Sequence, residues 1–314
     1  MTDLDTEEST VTSRDGIDLH VYRWGEPSVA RAVVHICHGL AEHAGRYARL
    51  GRALQSAGYV AYAHDHRGHG KSASSDDQLG FYAYDHGWDR LLDDVDTVTD
   101  WIVDRHPRTP VVLIGHSMGS FAAQHLIARN PGSYHAVVLS GSSDRPLLPL
   151  EAGGRFLARA ERLRQGPKGR SKLLDMLTFG SYNRKIRNPR TKFDWLSRDE
   201  AEVDSYLADP RCGFLATNQL WIDMLDAISQ LRPKMRSKIP SDLPLLVMSG
   251  DQDPVGEYGK GVKKLVANLR AEGLTEVTEH LYTGGRHEMF NETNREVVTA
   301  DLLAWLARVL PGDA

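Results

Sequence analysis

The 314-residue sequence predicts an α/β protein: a mostly parallel, doubly wound sheet with a helical cap inserted between two of its strands. Two observations carry this. Short apolar, β-branched runs alternate with longer stretches at helical spacing, the rhythm of a parallel sheet with helices on both faces. That rhythm stops between about residues 144 and 240, then resumes.

The elements follow in order. STVTSRDGIDLHVYRW (9–24) is a hairpin with Asp15 and Gly16 at its turn. AVVHICHG (32–39) is a buried strand, and YARLGRALQSAG (47–58) an amphipathic helix stopped by a glycine. YVAYAHD (59–65) is a strand, WDRLLDDVDTVTDWIVDRH (88–106) a helix, VVLIG (111–115) a strand, SFAAQHLIARN (120–130) a helix and HAVVLSG (135–141) a strand. No strand pattern follows until residue 244. In the interval, LSRDEAEVDSYLAD (196–209) places Ser197 three before Glu200, a capping box opening a helix, and LATNQLWIDMLDAISQL (215–231) is a further amphipathic helix. Then PLLVMSGD (244–251) is a strand, GKGVKKLVANLRAEG (259–273) a helix, VTEHLYTGG (277–285) a strand and TNREVVTADLLAWLARVL (293–310) a closing helix. The division this implies is a core of residues 1–143 and 242–314 around a helical cap of residues 144–241.

Composition narrows the function classes. Hydrophobic residues are 41% and charged residues 25%, with a net charge of −4, so no global nucleic-acid signal exists. Cys37 and Cys212 are far apart, neither lies in a CxxC pair, and no disulfide framework is indicated. The acidic, polar MTDLDTEEST start lacks the basic and apolar regions of a secretory signal, and no apolar run approaches a membrane span. A cytoplasmic location is expected, with peripheral membrane contact through the cap open to a protein that handles lipid.

The chemistry starts at VVLIGHSMGS (111–120). Ligands collect at the carboxyl ends of parallel strands, and Ser117 sits at such an end, between a strand and a helix. A Gly-x-Ser-x-Gly stretch there makes a tight turn that pushes the serine oxygen into the open. A serine needs a base, and YTGGRHEMFNE supplies His287 after the last strand. The base needs an acid to hold its tautomer and stabilise its cation. MSGDQDPV offers Asp251 and Asp253; Asp253 is the candidate acid, with Asp251 orienting the loop. The order Ser…Asp…His is that of this architecture. The oxyanion needs donors, and the N–H groups of Met118 and of Leu40, after His38-Gly39, are the candidates.

HGLAEHAGRY, DHRGHGKS, GHSMGS, SGDQDPV and GGRHEMFNE together resemble the α/β-hydrolase fold, most closely its monoacylglycerol lipase, lysophospholipase and serine aminopeptidase-like hydrolases. The resemblance covers about residues 11–143 and 242–310. It implies Ser117 as nucleophile, Asp253 as acid, His287 as base, Leu40 and Met118 at the oxyanion hole, and a helical cap over the site. The expected reaction is hydrolysis of a carboxylic ester with one acyl chain, with no cofactor or metal; a small-ester esterase, a peptidase and a non-enzymatic binder are the rivals. The long, arginine-rich cap is not matched to a lipase lid residue by residue. Trp195, Trp221, Met224 and Leu225 are its candidate acyl-tunnel residues, and its cations a solvated face or a contact for lipid phosphate.

Two other motifs are set aside. His64, Asp65, His66 and His69 suggest a metal, but His64 and His66 alternate on a strand and are read as facing apart. GKS (70–72) resembles the end of a phosphate loop, but Asp65 stands where its first glycine belongs.

Overall fold

The computed structural model describes residues 6–26, 30–146 and 148–310. The first five residues of the acidic N-terminal stretch lie outside these, as does Leu147 in the cap. Eight strands form one sheet: β1 (Glu7–Thr12), β2 (Asp18–Trp24), β3 (Val33–Cys37), β4 (Val60–His64), β5 (Val111–His116), β6 (Ala136–Ser140), β7 (Leu245–Gly250) and β8 (Val277–Tyr282), in the order β1-β2-β4-β3-β5-β6-β7-β8. β1 and β2 pair antiparallel, as does β2 with β4, and every later pairing is parallel. The sheet is thus mostly parallel, as the alternating pattern predicts, with the hairpin on one edge.

The pattern works because the central strands are buried on both sides, so alternate residues feed two cores. Val34, Ile36, Ile114, Val138 and Met248 face α1 (Ala48–Ser56) and α11 (Arg295–Val309), the latter inserting Val298, Leu302, Trp305 and Leu306. Leu113, Leu139 and Val247 face α2 (Gly87–Arg105), α3 (Met118–Arg129) and α10 (Lys260–Ala271). Each of these large apolar side chains contributes roughly 1.5–3 kcal/mol on burial.

Between β6 and β7 the chain forms only helices among its described residues: α4 (Leu148–Gln165), α5 (Lys172–Leu177), α6 (Phe179–Tyr182), α7 (Glu200–Ala208), α8 (Asn218–Gln230) and α9 (Pro233–Arg236). The capping box expected of Ser197 is not the device that starts α7. Ser197 Oγ donates to the Asn291 carbonyl at 2.8 Å and accepts the Asp199 N–H. Asp199 is the cap: its carboxylate accepts the Ala201 N–H at 3.0 Å and pairs with Arg295 at 2.6 Å. A charged acceptor two residues nearer the helix reaches the free N–H groups first. Both cysteines are free and buried. Among the described residues no helix is long and apolar enough to cross a membrane.

Candidate active site

Ser117 leaves β5 in a left-handed conformation, φ 50°, and α3 begins at the next residue. The flanking glycines are there for close approach. A Cβ on Gly115 would lie 2.3 Å from the Gly119 carbonyl oxygen, and one on Gly119 would lie 2.2 Å from the carbonyl oxygen of Cys37. No other residue lets β5 fold back onto α3 and α3 press against β3, and that squeeze holds the serine in its strained backbone.

His287 follows β8 in a loop fastened to the cap: its N–H donates to the Trp195 carbonyl at 3.3 Å, and the Glu288 N–H to that of Leu196 at 2.8 Å. His287 Nδ1 lies 3.0 Å from Asp253 Oδ2, both side chains buried. Burial works against the His287 cation, but the Asp253 charge and hydrogen bond outweigh it and hold its pKa above the usual 6.5. Burial likewise opposes the Asp253 anion, yet His287, the Ser249 hydroxyl and the Val255 N–H keep its pKa below 3.8. Asp251 does not reach the imidazole. Its carboxylate accepts the Gly284 N–H at 2.8 Å and so shapes the loop that carries the histidine.

Ser117 and Leu40 line two adjoining spaces. The larger is a mainly apolar cavity of about 580 Å³ that also takes Met118, Trp221, Met224 and Leu225 into its wall. The smaller, about 20 Å³, is bounded by His287 and aromatic rings. Among the described residues neither the Leu40 nor the Met118 N–H donates to a protein acceptor. Trp195 stands apart from the other three acyl-tunnel candidates. It lies in the small space with its ring 4.9 Å from that of His287, because its segment is strapped to the histidine loop.

A brace that the sequence motifs do not announce follows the turn after Gly39. Glu42 accepts the Gly39 N–H at 2.6 Å and the Tyr47 hydroxyl at 2.9 Å; Arg46 bonds Glu42 at 2.7 Å and both oxygens of Glu288 at 2.6 Å. One half-buried guanidinium thus ties the turn after Gly39 to the residue after His287. The glutamate next to the histidine was the available signal. His116 is buried with its ring 4.7 Å from that of His287, and burial first, then the His287 charge, push its pKa down to about 4.

The structure also corrects the reading of the histidine-rich stretch. His64 and His66 do not face apart: residues two apart share a strand face, and His64 Nε2 lies 3.0 Å from His66 Nδ1. His64 Nδ1 in turn meets His35 Nε2 at 2.9 Å. These nitrogens are spent on one another. The one group of possible metal donors among the described residues is His43, Asp209 and Cys212, within 4.8 Å of one another. There His43 Nδ1 accepts the Gly45 N–H, so Nε2 carries the proton it shares with Asp209 at 2.8 Å and offers no lone pair.

Residues 28–294 match the family described as serine aminopeptidase, S33. The chain is 31% identical over 283 residues to a monoacylglycerol lipase of Mycolicibacterium smegmatis, covering 90% of each, and 28% identical to the human monoglyceride lipase, covering 90% of this chain and 84% of that one. A thermostable carboxyl esterase from Bacillus coagulans, solved in complex with glycerol, superposes with a TM-score of 0.89 at 25% identity over 98% of this chain and 99% of its own. The chain has the α/β-hydrolase fold and belongs to the serine aminopeptidase S33 family.

Proposed function

We propose that the protein is a serine hydrolase that cleaves the ester bond of single-acyl-chain lipids, monoacylglycerols first, through an acyl-enzyme on Ser117. The observation that carries this is the apolar cavity of about 580 Å³ lined by Ser117, Leu40 and Met118 together with Trp221, Met224 and Leu225. An acyl chain lies there. His287 takes the Ser117 proton, Oγ attacks the carbonyl carbon, and the oxyanion rests on the Leu40 and Met118 N–H groups. As the tetrahedral adduct collapses, His287 protonates the leaving alcohol. Water then repeats the path and releases the fatty acid, with Asp253 supporting the imidazolium throughout.

The electrostatics favour this over its rivals. A peptidase holding a free amine needs an unpaired acid beside the leaving group, but the acids that line the small space beside His287, Glu42 and Glu288, are both held by Arg46. A lysophospholipid phosphate needs a cation, and among the described residues no lysine or arginine lines the small space beside His287. The leaving group that fits is neutral.

The reading divides the chain into a core of residues 1–143 and 242–314 and a cap of residues 144–241. It places the protein in the cytoplasm, where unpaired thiols persist, and in peripheral contact with membranes. Supporting that contact, Leu150 and Leu177 stand both in the cavity wall and on the surface, 72% and 51% exposed, and Phe156, also on α4, is 76% exposed. Hydrolysis of monoacylglycerols and p-nitrophenyl esters of graded length tests the function. A preference for medium or long chains is predicted; activity on acetyl and propionyl esters alone would refute the lipid assignment.

A further inference from the structure

Ala41 follows the candidate oxyanion donor Leu40 and has φ 58°, a left-handed conformation that an alanine does not hold unaided. Its carbonyl oxygen takes two hydrogen bonds, both from the segment between β6 and β7. The Tyr206 hydroxyl donates at 2.7 Å and the Gly213 N–H at 2.9 Å. On the other side of the turn the Glu42 carboxylate accepts the Gly39 N–H at 2.6 Å. The four residues that aim the Leu40 N–H are therefore clamped from inside by Glu42 and from outside by Tyr206 and Gly213. The same tyrosine packs its ring against Arg46, 4.9 Å from the guanidinium, which joins Glu42 to Glu288. Tyr206 is buried, and its ring is also held edge-on by Phe193 at 4.9 Å, so its hydroxyl has a fixed position from which to donate.

We propose that Tyr206 is a positioning residue for the oxyanion hole, holding the Ala41 carbonyl so that the Leu40 N–H points at the developing negative charge. This rests on the assignment of Leu40 as an oxyanion donor given above. A turn held in a strained conformation relaxes when one of its clamps is removed, and an oxyanion donor acts only when it is already aimed. Tyr206 never touches the reacting atoms in this scheme. It makes the oxyanion hole depend on how the cap is seated, since the tyrosine belongs to α7.

Tyr206 also lines the small space beside His287, so a direct contact with the leaving alcohol is the competing role, and the two predict different substrate dependence. Tyr206→Phe keeps the ring and its packing and removes only the hydroxyl. Its kcat/KM should fall about tenfold, less than the roughly 10²–10³ that deleting a donor outright costs. The loss should be equal for monoacylglycerols and for p-nitrophenyl esters of the same acid, and should appear in kcat. A trifluoromethyl ketone, whose adduct on serine carries an oxyanion, should lose affinity by the same factor, and the pH profile should not move. A loss confined to glycerol esters would overturn the proposal in favour of alcohol recognition, and so would a variant as active as the parent while the parent labels normally with a fluorophosphonate. If the parent neither labels nor hydrolyses esters, the assignment of Ser117 itself fails, and this proposal with it.

Discussion

At the residue scale the site rests on two opposed pairs of effects. Ser117 holds a conformation that its own side chain disfavours, and Gly115 and Gly119 admit the backbone contacts that force it there. His287 is buried, which disfavours its cation, and sits against Asp253, which favours it more. The sign of the second balance is testable. The base works only when neutral, so kcat/KM should fall as pH drops through a His287 value above 6.5. In Asp253→Asn the charge is gone and burial remains. The acid limb should then move below 6.5, and kcat/KM should fall about 10⁴-fold, the order this exchange costs in other serine-histidine-aspartate sites. A pH–rate profile of both proteins checks it; an unmoved limb would mean that Asp253 does not set the base. These residues were legible as candidates because the proposed nucleophile, acid and base each follow a different strand, in the chain order expected of them. In the brace of Glu42, Arg46 and Glu288, by contrast, Arg46 and Glu288 are 242 residues apart and nothing local announces their pairing.

At the element scale, strands and helices followed from period and punctuation, since buried parallel strands are short apolar runs and their helices amphipathic. What periodicity does not give is which helix face meets which partner. Trp195 and Trp221 look alike in sequence, yet Trp221 on α8 walls the large apolar cavity while Trp195 lies beside the histidine. Filling the cavity from α8 separates these roles. Met224→Trp should leave p-nitrophenyl acetate turnover within about twofold and cut turnover of the long-chain esters tenfold or more, since lost pocket contacts act through roughly 1–3 kcal/mol each. Equal losses on all lengths would place the acyl chain elsewhere. The start of α7 offers a stability check. Asp199→Ala removes both the cap and the Arg295 pair and should lower the unfolding free energy by about 1–2 kcal/mol in urea, as helix caps do. No change would return the capping role to Ser197.

At the scale of the whole molecule, the sheet buries a chain of neutral imidazoles. Thr99, His35, His64 and His66 are linked in series at 3.0, 2.9 and 3.0 Å, with His38 and His69 beside them. Burial lowers the pKa of all five histidines, those of His35, His38 and His69 to about 3. The unfolded chain protonates them below about 6.5 and the folded one does not, so stability is lost as pH falls below that value, by up to about 1.4 kcal/mol per group and pH unit. His287 acts the other way, adding stability below 6.5 that disappears as pH rises through its folded value. Five groups outweigh one. Urea unfolding at pH 7 and pH 5 should show a loss of several kcal/mol, and equal stabilities would mean the cluster is charged or wet in the fold. A sequence shows that histidines are many, but only the packed sheet shows that they are dry.

The proposed reaction depends on Ser117 being the residue that forms the covalent intermediate. The direct measurement is a fluorophosphonate reaction on the parent protein and on Ser117→Ala, followed by peptide mapping of the adduct. One adduct per chain is expected, on Ser117, with neither labelling nor ester hydrolysis in the variant. An adduct on another residue, or a variant that still hydrolyses esters, would contradict it.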